Sequence, residues 1–183
     1  LFMTLSEFKN INPEFEESMF LTKVNNIFVK LFTNIMMDKL EEVDHFVGDD
    51  VYKFACDKLE AAKSNGCRQM YDELNVKDSQ IRNVEVKQDV YEIKVFLQSR
   101  YMDYIINLSN GSVISGDDTR RIKVDYNLTF TKKIEVKEQG ITRKCPTCRA
   151  PLSVNTSGVC EYCGSIYNQE DYDWVLEELE VLN

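Results

Sequence analysis

The sequence predicts an α+β domain, with N-terminal helices covering one face of an antiparallel sheet and a small cysteine-bearing ribbon appended at the C-terminal end. Three observations carry this reading. Apolar residues recur at three- and four-residue steps as far as Ala62, the period falls to two after Lys77, and four cysteines stand as two CxxC pairs from Cys145 onward.

From Pro13 to about Leu40, the residues Phe15, Met19, Val24, Ile27, Phe28, Leu31, Ile35 and Met36 trace one broad apolar face, which predicts a long helix. Gly48-Asp49-Asp50 offers a start with negative charge at a helix N-terminus. Val51, Phe54, Ala55, Lys58, Leu59 and Ala62 continue a second stripe until Ser64-Asn65-Gly66 stops it. A piece around Met70 to Leu74 reads as one more helical turn.

Tyr91, Ile93, Val95 and Leu97 then alternate with Glu92, Lys94 and Phe96, as a half-buried strand requires. Tyr104, Ile106 and Leu108 lead into Asn110-Gly111, a pair suited to the positive backbone angles of a tight hairpin, and Val113-Ile114 returns. The cleanest alternation is Ile122, Val124, Tyr126, Leu128 and Phe130 against Lys123, Asp125, Asn127, Thr129 and Thr131, a strand with one buried face. Regular periodicity ends near Gly140. The expected division is a body over residues 1–140 and a ribbon with an acidic tail over 141–183.

Composition narrows the function classes. With 43% hydrophobic residues, the 183-residue chain can build a core. Its formal charge of -9 disfavours non-specific nucleic-acid binding. No run of about 18 apolar residues offers a bilayer span. His45 is the lone histidine, phosphate-cradling glycine motifs are absent, and no acidic pair is singled out by spacing, so the expectation is a protein without a catalytic site.

Cys145-Pro146-Thr147-Cys148 and Cys160-Glu161-Tyr162-Cys163 are separated by residues 149–159. Each CxxC can fold into a turn that aims two sulfurs at one point, and a short hairpin between them can bring the turns together. Cys145, Cys148, Cys160 and Cys163 are therefore the expected ligands of one structural Zn²⁺ ion, whose closed sulfur tetrahedron leaves no position for a reacting water. A redox CxxC is the chemical rival, but Pro151 would obstruct the helix such a motif opens, and no βαβ pattern surrounds it. Cys56 and Cys67 stand singly in helix-like sequence and read as small buried residues.

Two further patterns carry a bland and a sharper reading. The aromatics Phe15, Phe20, Phe28, Phe32, Tyr91, Phe96, Tyr104, Tyr126 and Phe130 fit a packed core, or else the lining of a cavity. The tail interleaves Glu170, Asp171, Asp173, Glu177, Glu178 and Glu180 with Trp174, Val175, Leu176, Leu179 and Leu182, which suits solvated acids over a docked apolar edge or an exposed protein-docking segment.

Read together, Cys145-Pro146-x-Cys148-x-Ala150-Pro151-Leu152, Gly158-x-Cys160-x-Tyr162-Cys163-Gly164 and Asp173-Trp174-Val175-Leu176 resemble the zinc-ribbon end of bacterial Tim44-like proteins. Arg149 stands where a glycine is usual after the first CPxC, and Tyr126-x-Leu128-x-Phe130-x-Lys132 approximates an aromatic strand that ordinarily ends in arginine. The resemblance implies a nuclear-transport-factor-2-like (NTF2-like) cone, in which a strongly curved sheet wraps helices and leaves an apolar pocket. It further implies a non-catalytic binding or scaffolding module contacting a protein or lipid partner at the cytosolic face of a bacterial membrane. The N-terminal membrane segment usual in that family is not in these 183 residues, as expected of a fragment. Rival expectations are an enzyme or small-ligand carrier using the cone pocket and, more weakly, nucleic-acid binding through Arg143, Lys144 and Arg149.

Overall fold

Thr4 opens the first helix through a reciprocal cap. The Glu7 N–H donates to Thr4 Oγ1 at 3.1 Å, and the Thr4 N–H donates to the Glu7 carboxylate at 2.7 Å, so two amides at the helix start find partners. In this computed structural model, which describes residues 1–134, 145, 147–151, 159–165 and 174–183, that helix is α1 (Leu5–Ile11), preceded by the two-residue strand β1 (Phe2–Met3). The expected boundary near Gly140, together with Arg143, Lys144, Pro146, Leu152, Gly158, Glu170, Asp171 and Asp173, lies outside the described residues.

The long helix is α2 (Glu17–Met37), shorter at both ends than its apolar pattern. Asp38 stops it in the left-handed conformation (φ 55°), with its N–H turned back to the last carbonyls. Phe20, Val24, Ile27, Phe28, Leu31, Phe32 and Ile35 form its buried face, whereas Met19 points outward at 68% exposure. Two 3-10 turns, Leu40–Glu42 and Asp44–Phe46, lead to α3 (Asp49–Lys63), which starts after Gly48 and ends before Ser64, as its caps predict.

The turn expected at Met70–Leu74 is a strand instead. β2 (Cys67–Lys87) runs 21 residues with irregularities at Asp72/Asn75, Val76/Asp78 and Ile81/Asn83. Each inserts one extra residue, so the inward-facing positions become Tyr71, Leu74, Val76, Ser79, Ile81, Val84 and Val86, at steps of three and two in alternation. That mixed period imitates neither a plain strand nor a helix.

β3 (Val90–Asn107) pairs with β2 along its whole length. On its other flank it pairs with β5 (Ile122–Lys133) from Val90 to Tyr101 and with β4 (Val113–Gly116) from Tyr104 to Ile106. The hairpin expected at Asn110-Gly111 is the β3–β4 turn, where Gly111 takes a φ of +73°. β6 (Val175–Val181) adds to β5, giving the order β1-β2-β3-β5-β6. Bulged strands coil strongly, and the antiparallel sheet curls into a half-barrel around three helices, the NTF2-like α+β cone that the resemblance implies.

Aromatic rings occupy the space inside. Phe28 and Phe32 meet Tyr126 at 5.0 and 5.8 Å between ring centres, and Phe32 meets Tyr71 at 4.8 Å, all edge to face. The buried hydroxyls of Tyr101 and Tyr126 share a hydrogen bond of 2.8 Å. Core packing is thus what most of the aromatic pattern records, while Phe96 lies on the other face of the sheet under Arg82.

Of the two readings of the tail, the docked edge holds for its beginning. Trp174 packs against Phe20 at 5.1 Å, and Val175 and Leu176 are buried. Leu176 also accepts the Gly48 N–H at 2.8 Å, tying β6 to the start of α3. The two CxxC pairs therefore lie in the connection between two neighbouring strands of the body.

Candidate metal centre

The two CxxC segments adopt the same local frame. In the first, the Arg149 N–H donates to the Cys145 carbonyl at 2.8 Å, and the Cys145 N–H donates to the Ala150 carbonyl at 2.9 Å. In the second, the Gly164 N–H donates to the Cys160 carbonyl at 2.9 Å, and the Cys160 N–H to the Ser165 carbonyl at 2.8 Å. The residue after the second cysteine must adopt a positive φ to close each frame: +60° at Arg149 and +70° at Gly164. Glycine takes that angle without strain, which gives a physical reason for its usual presence where this chain has Arg149.

These frames bring all four expected residues together. The Sγ atoms of Cys145, Cys148, Cys160 and Cys163 lie within 4.8 Å of one another. Two cross-turn pairs are closer, Cys145 to Cys163 at 3.7 Å and Cys148 to Cys160 at 3.8 Å. The cysteines are free thiols, Cys145 and Cys160 buried, Cys148 and Cys163 exposed. A sulfur tetrahedron around an ion at a bond length of about 2.3 Å has edges of about 3.8 Å. The site has the dimensions of such a cage, and four close cysteines can hold a metal ion.

Electrostatics point the same way. The Ser165 hydroxyl, followed by backbone N–H groups, holds the Cys145 thiol down to about 5, and the Ser165 hydroxyl and amide also lower Cys163. The Ala150 N–H pulls Cys148 down, but desolvation and its three thiol neighbours outweigh it and push that group up to about 12. Four sulfurs this close cannot all carry charge unless a cation sits among them. Ser165, which has no counterpart in the CxxC spacing itself, is the residue that sequence reasoning missed; its only signal is its place two residues after Cys163.

The other expectations find no comparable setting. Arg149 is exposed, and its structural distinction is its backbone angle. His45 sits half-buried in the 3-10 turn Asp44–Phe46. Among the described residues, no helix is long and apolar enough to cross a membrane.

A family model described as Tim44-like domain matches residues 2–141. The chain belongs to the Tim44-like family. No curated protein matches it. The Tim44-like match takes in both long helices and β1 to β5, and it stops before Cys145, so the cysteine cluster and β6 lie beyond it. Tim44-like domains are membrane-associated modules that interact with proteins, and the family is one of binding and scaffolding rather than catalysis.

Proposed function

We propose that this Tim44-like chain is a non-catalytic scaffold held at the cytosolic face of a bacterial membrane, where it contacts a protein or lipid partner. Residues 1–140 serve as its binding body, and 141–183 as a zinc ribbon whose last strand returns to that body. Family membership over residues 2–141 is the observation that carries the reading. The ring-filled interior supports it, because a small-ligand carrier or enzyme needs an open, lined cavity where Phe28, Phe32, Tyr71 and Tyr126 pack.

Cys145, Cys148, Cys160 and Cys163 hold one structural Zn²⁺ in this reading. The two sulfur–sulfur separations near the tetrahedral edge support them as ligands. Zinc suits four thiolates because it has no ligand-field preference and no redox chemistry. The metal organises a segment too short to bury the surface that would offset its ordering entropy.

Two measurements test the proposal. Fractionation and crosslinking of the full-length protein in its own cells should place it at the membrane with a reproducible partner; a protein wholly in the soluble fraction without crosslinks refutes the scaffold. Elemental analysis of reduced, native material should find one zinc per chain, lost in the Cys160→Ser variant. A metal-free wild type refutes the ribbon.

A further inference from the structure

We propose that Ser165 divides the four thiolates into a quenched pair and a reactive one, making Cys148 the ligand at which an electrophile opens the centre. The inference rests on the metal-ribbon reading above.

The geometry is asymmetric. Ser165 Oγ lies 2.9 Å from Cys163 Sγ and 3.4 Å from Cys145 Sγ, so one hydroxyl bridges a sulfur from each turn. Once the cysteines ligate a metal they are thiolates, and the hydroxyl is then the partner with a proton to give. It donates mainly to Cys163 and, at longer range, to Cys145. In the matching frame of the first turn, the place of Ser165 is taken by Ala150, which has no hydroxyl. No equivalent bridge reaches Cys148 and Cys160 from that side.

A donated proton draws electron density away from a thiolate and makes it a poorer nucleophile. Exposure then selects among the sulfurs. Cys145 and Cys160 are buried, leaving Cys148 and Cys163 open to a reagent, and of these two it is Cys163 that the hydroxyl quenches. Cys148 is accessible and has no hydroxyl upon it: the Ala150 N–H at Cys148 is matched by the Ser165 N–H at Cys163, so the hydroxyl is the difference between them. With an alkyl halide, its sulfur forms a bond to carbon, the carbon–halogen bond breaks, and halide leaves with the electron pair. The resulting thioether is a weak ligand, so the cage loses one corner.

The experiment uses the full chain loaded with one zinc and a limiting amount of iodoacetamide, with peptide mass spectrometry to locate the adduct. Wild type is expected to modify at Cys148 about tenfold faster than at Cys163, the low end of what one charge-assisted hydrogen bond is worth. In Ser165→Ala, the two rates should approach each other, and the sulfur-to-metal charge-transfer band of the cobalt-loaded variant should move to lower energy. Ser165→Thr, which keeps the hydroxyl, should behave as wild type. Equal rates in the wild type, or a Ser165→Ala variant that retains the Cys148 preference, overturn the proposal while leaving the metal site standing. A wild type that takes up no metal instead refutes the ribbon itself and this inference with it.

Discussion

Removal of the metal should unfold the ribbon and leave the body almost untouched, and the size of the effect follows from the topology. Residues 134–174 connect β5 to β6. With Cys145 and Cys163 held at one ion, the freely closing part of that connection falls from roughly 40 residues to roughly 20, and each doubling of loop length costs about 0.6 kcal/mol. Against that loss stands the burial of Trp174, Val175 and Leu176, each no more than 8% exposed. Full burial of a single apolar side chain of this kind contributes about 1.5–3 kcal/mol, so the strand stays docked by a wide margin. Trp174 is the only tryptophan in the chain and sits against Phe8, Phe15 and Phe20, which makes its fluorescence a direct report on β6. On titration with a chelator, the emission should hold its position, Tm should fall by about 1–2 °C, and proteolytic cleavage should appear between residues 134 and 174. An emission shift to the red in step with metal release would refute the reasoning, since it would mean that the ion holds the sheet together.

Other substitutions probe separate parts of the same account. Arg149→Gly should raise metal affinity about tenfold in a chelator competition, because a non-glycine residue at a φ of +60° costs about 1–2 kcal/mol; Gly164→Ala should lower it by a similar factor. Tyr101→Phe removes one partner of a buried hydroxyl pair and should cost about 1–3 kcal/mol in urea unfolding, whereas the Tyr101→Phe/Tyr126→Phe double variant should recover most of the loss. Phe28→Ala, at a fully buried ring, should cost about 3–5 kcal/mol by the same assay. Gly116→Ala should weaken the β3–β4 hairpin and lower Tm, since Gly116 sits at a φ of +81° with Tyr104 Cα only 2.6 Å from where a β-carbon would stand.

Sequence reasoning reached the elements whose periodicity runs uninterrupted. The stripe of α2, the stop at Ser64-Asn65-Gly66, and the alternation of Tyr91 to Leu97 and of Val124 to Phe130 are all direct consequences of one face meeting a core. β2 was hidden because three inserted residues convert a period of two into alternating steps of three and two, and bulges leave no local signature of their own. β6 was hidden in the same way: an extra residue opposite Thr129/Phe130 sets Leu176 and Leu179, three apart, opposite Phe130 and Leu128, so the tail shows no period of two. The short helix α1 was legible in principle, since Thr4-Leu5-Ser6-Glu7 spells its cap. At the candidate metal centre, the four sulfurs follow from spacing alone, while Ser165 acts through the fold of its turn and no spacing rule points to it.

The insertion of the cysteine ribbon between two adjacent antiparallel strands has a mechanical consequence. Its two chain ends leave β5 and β6 on the same side, where Thr131 faces Val175. A load applied through the ribbon would therefore peel the ladder one rung at a time from that end, the weak direction for any sheet. Sliding the two strands past each other along their length would load many rungs at once. A tether gripping this protein by its ribbon would thus pull first on the Trp174–Leu176 end of β6, where the strand is held to Phe20 and to the start of α3, and the force would pass straight to the helices.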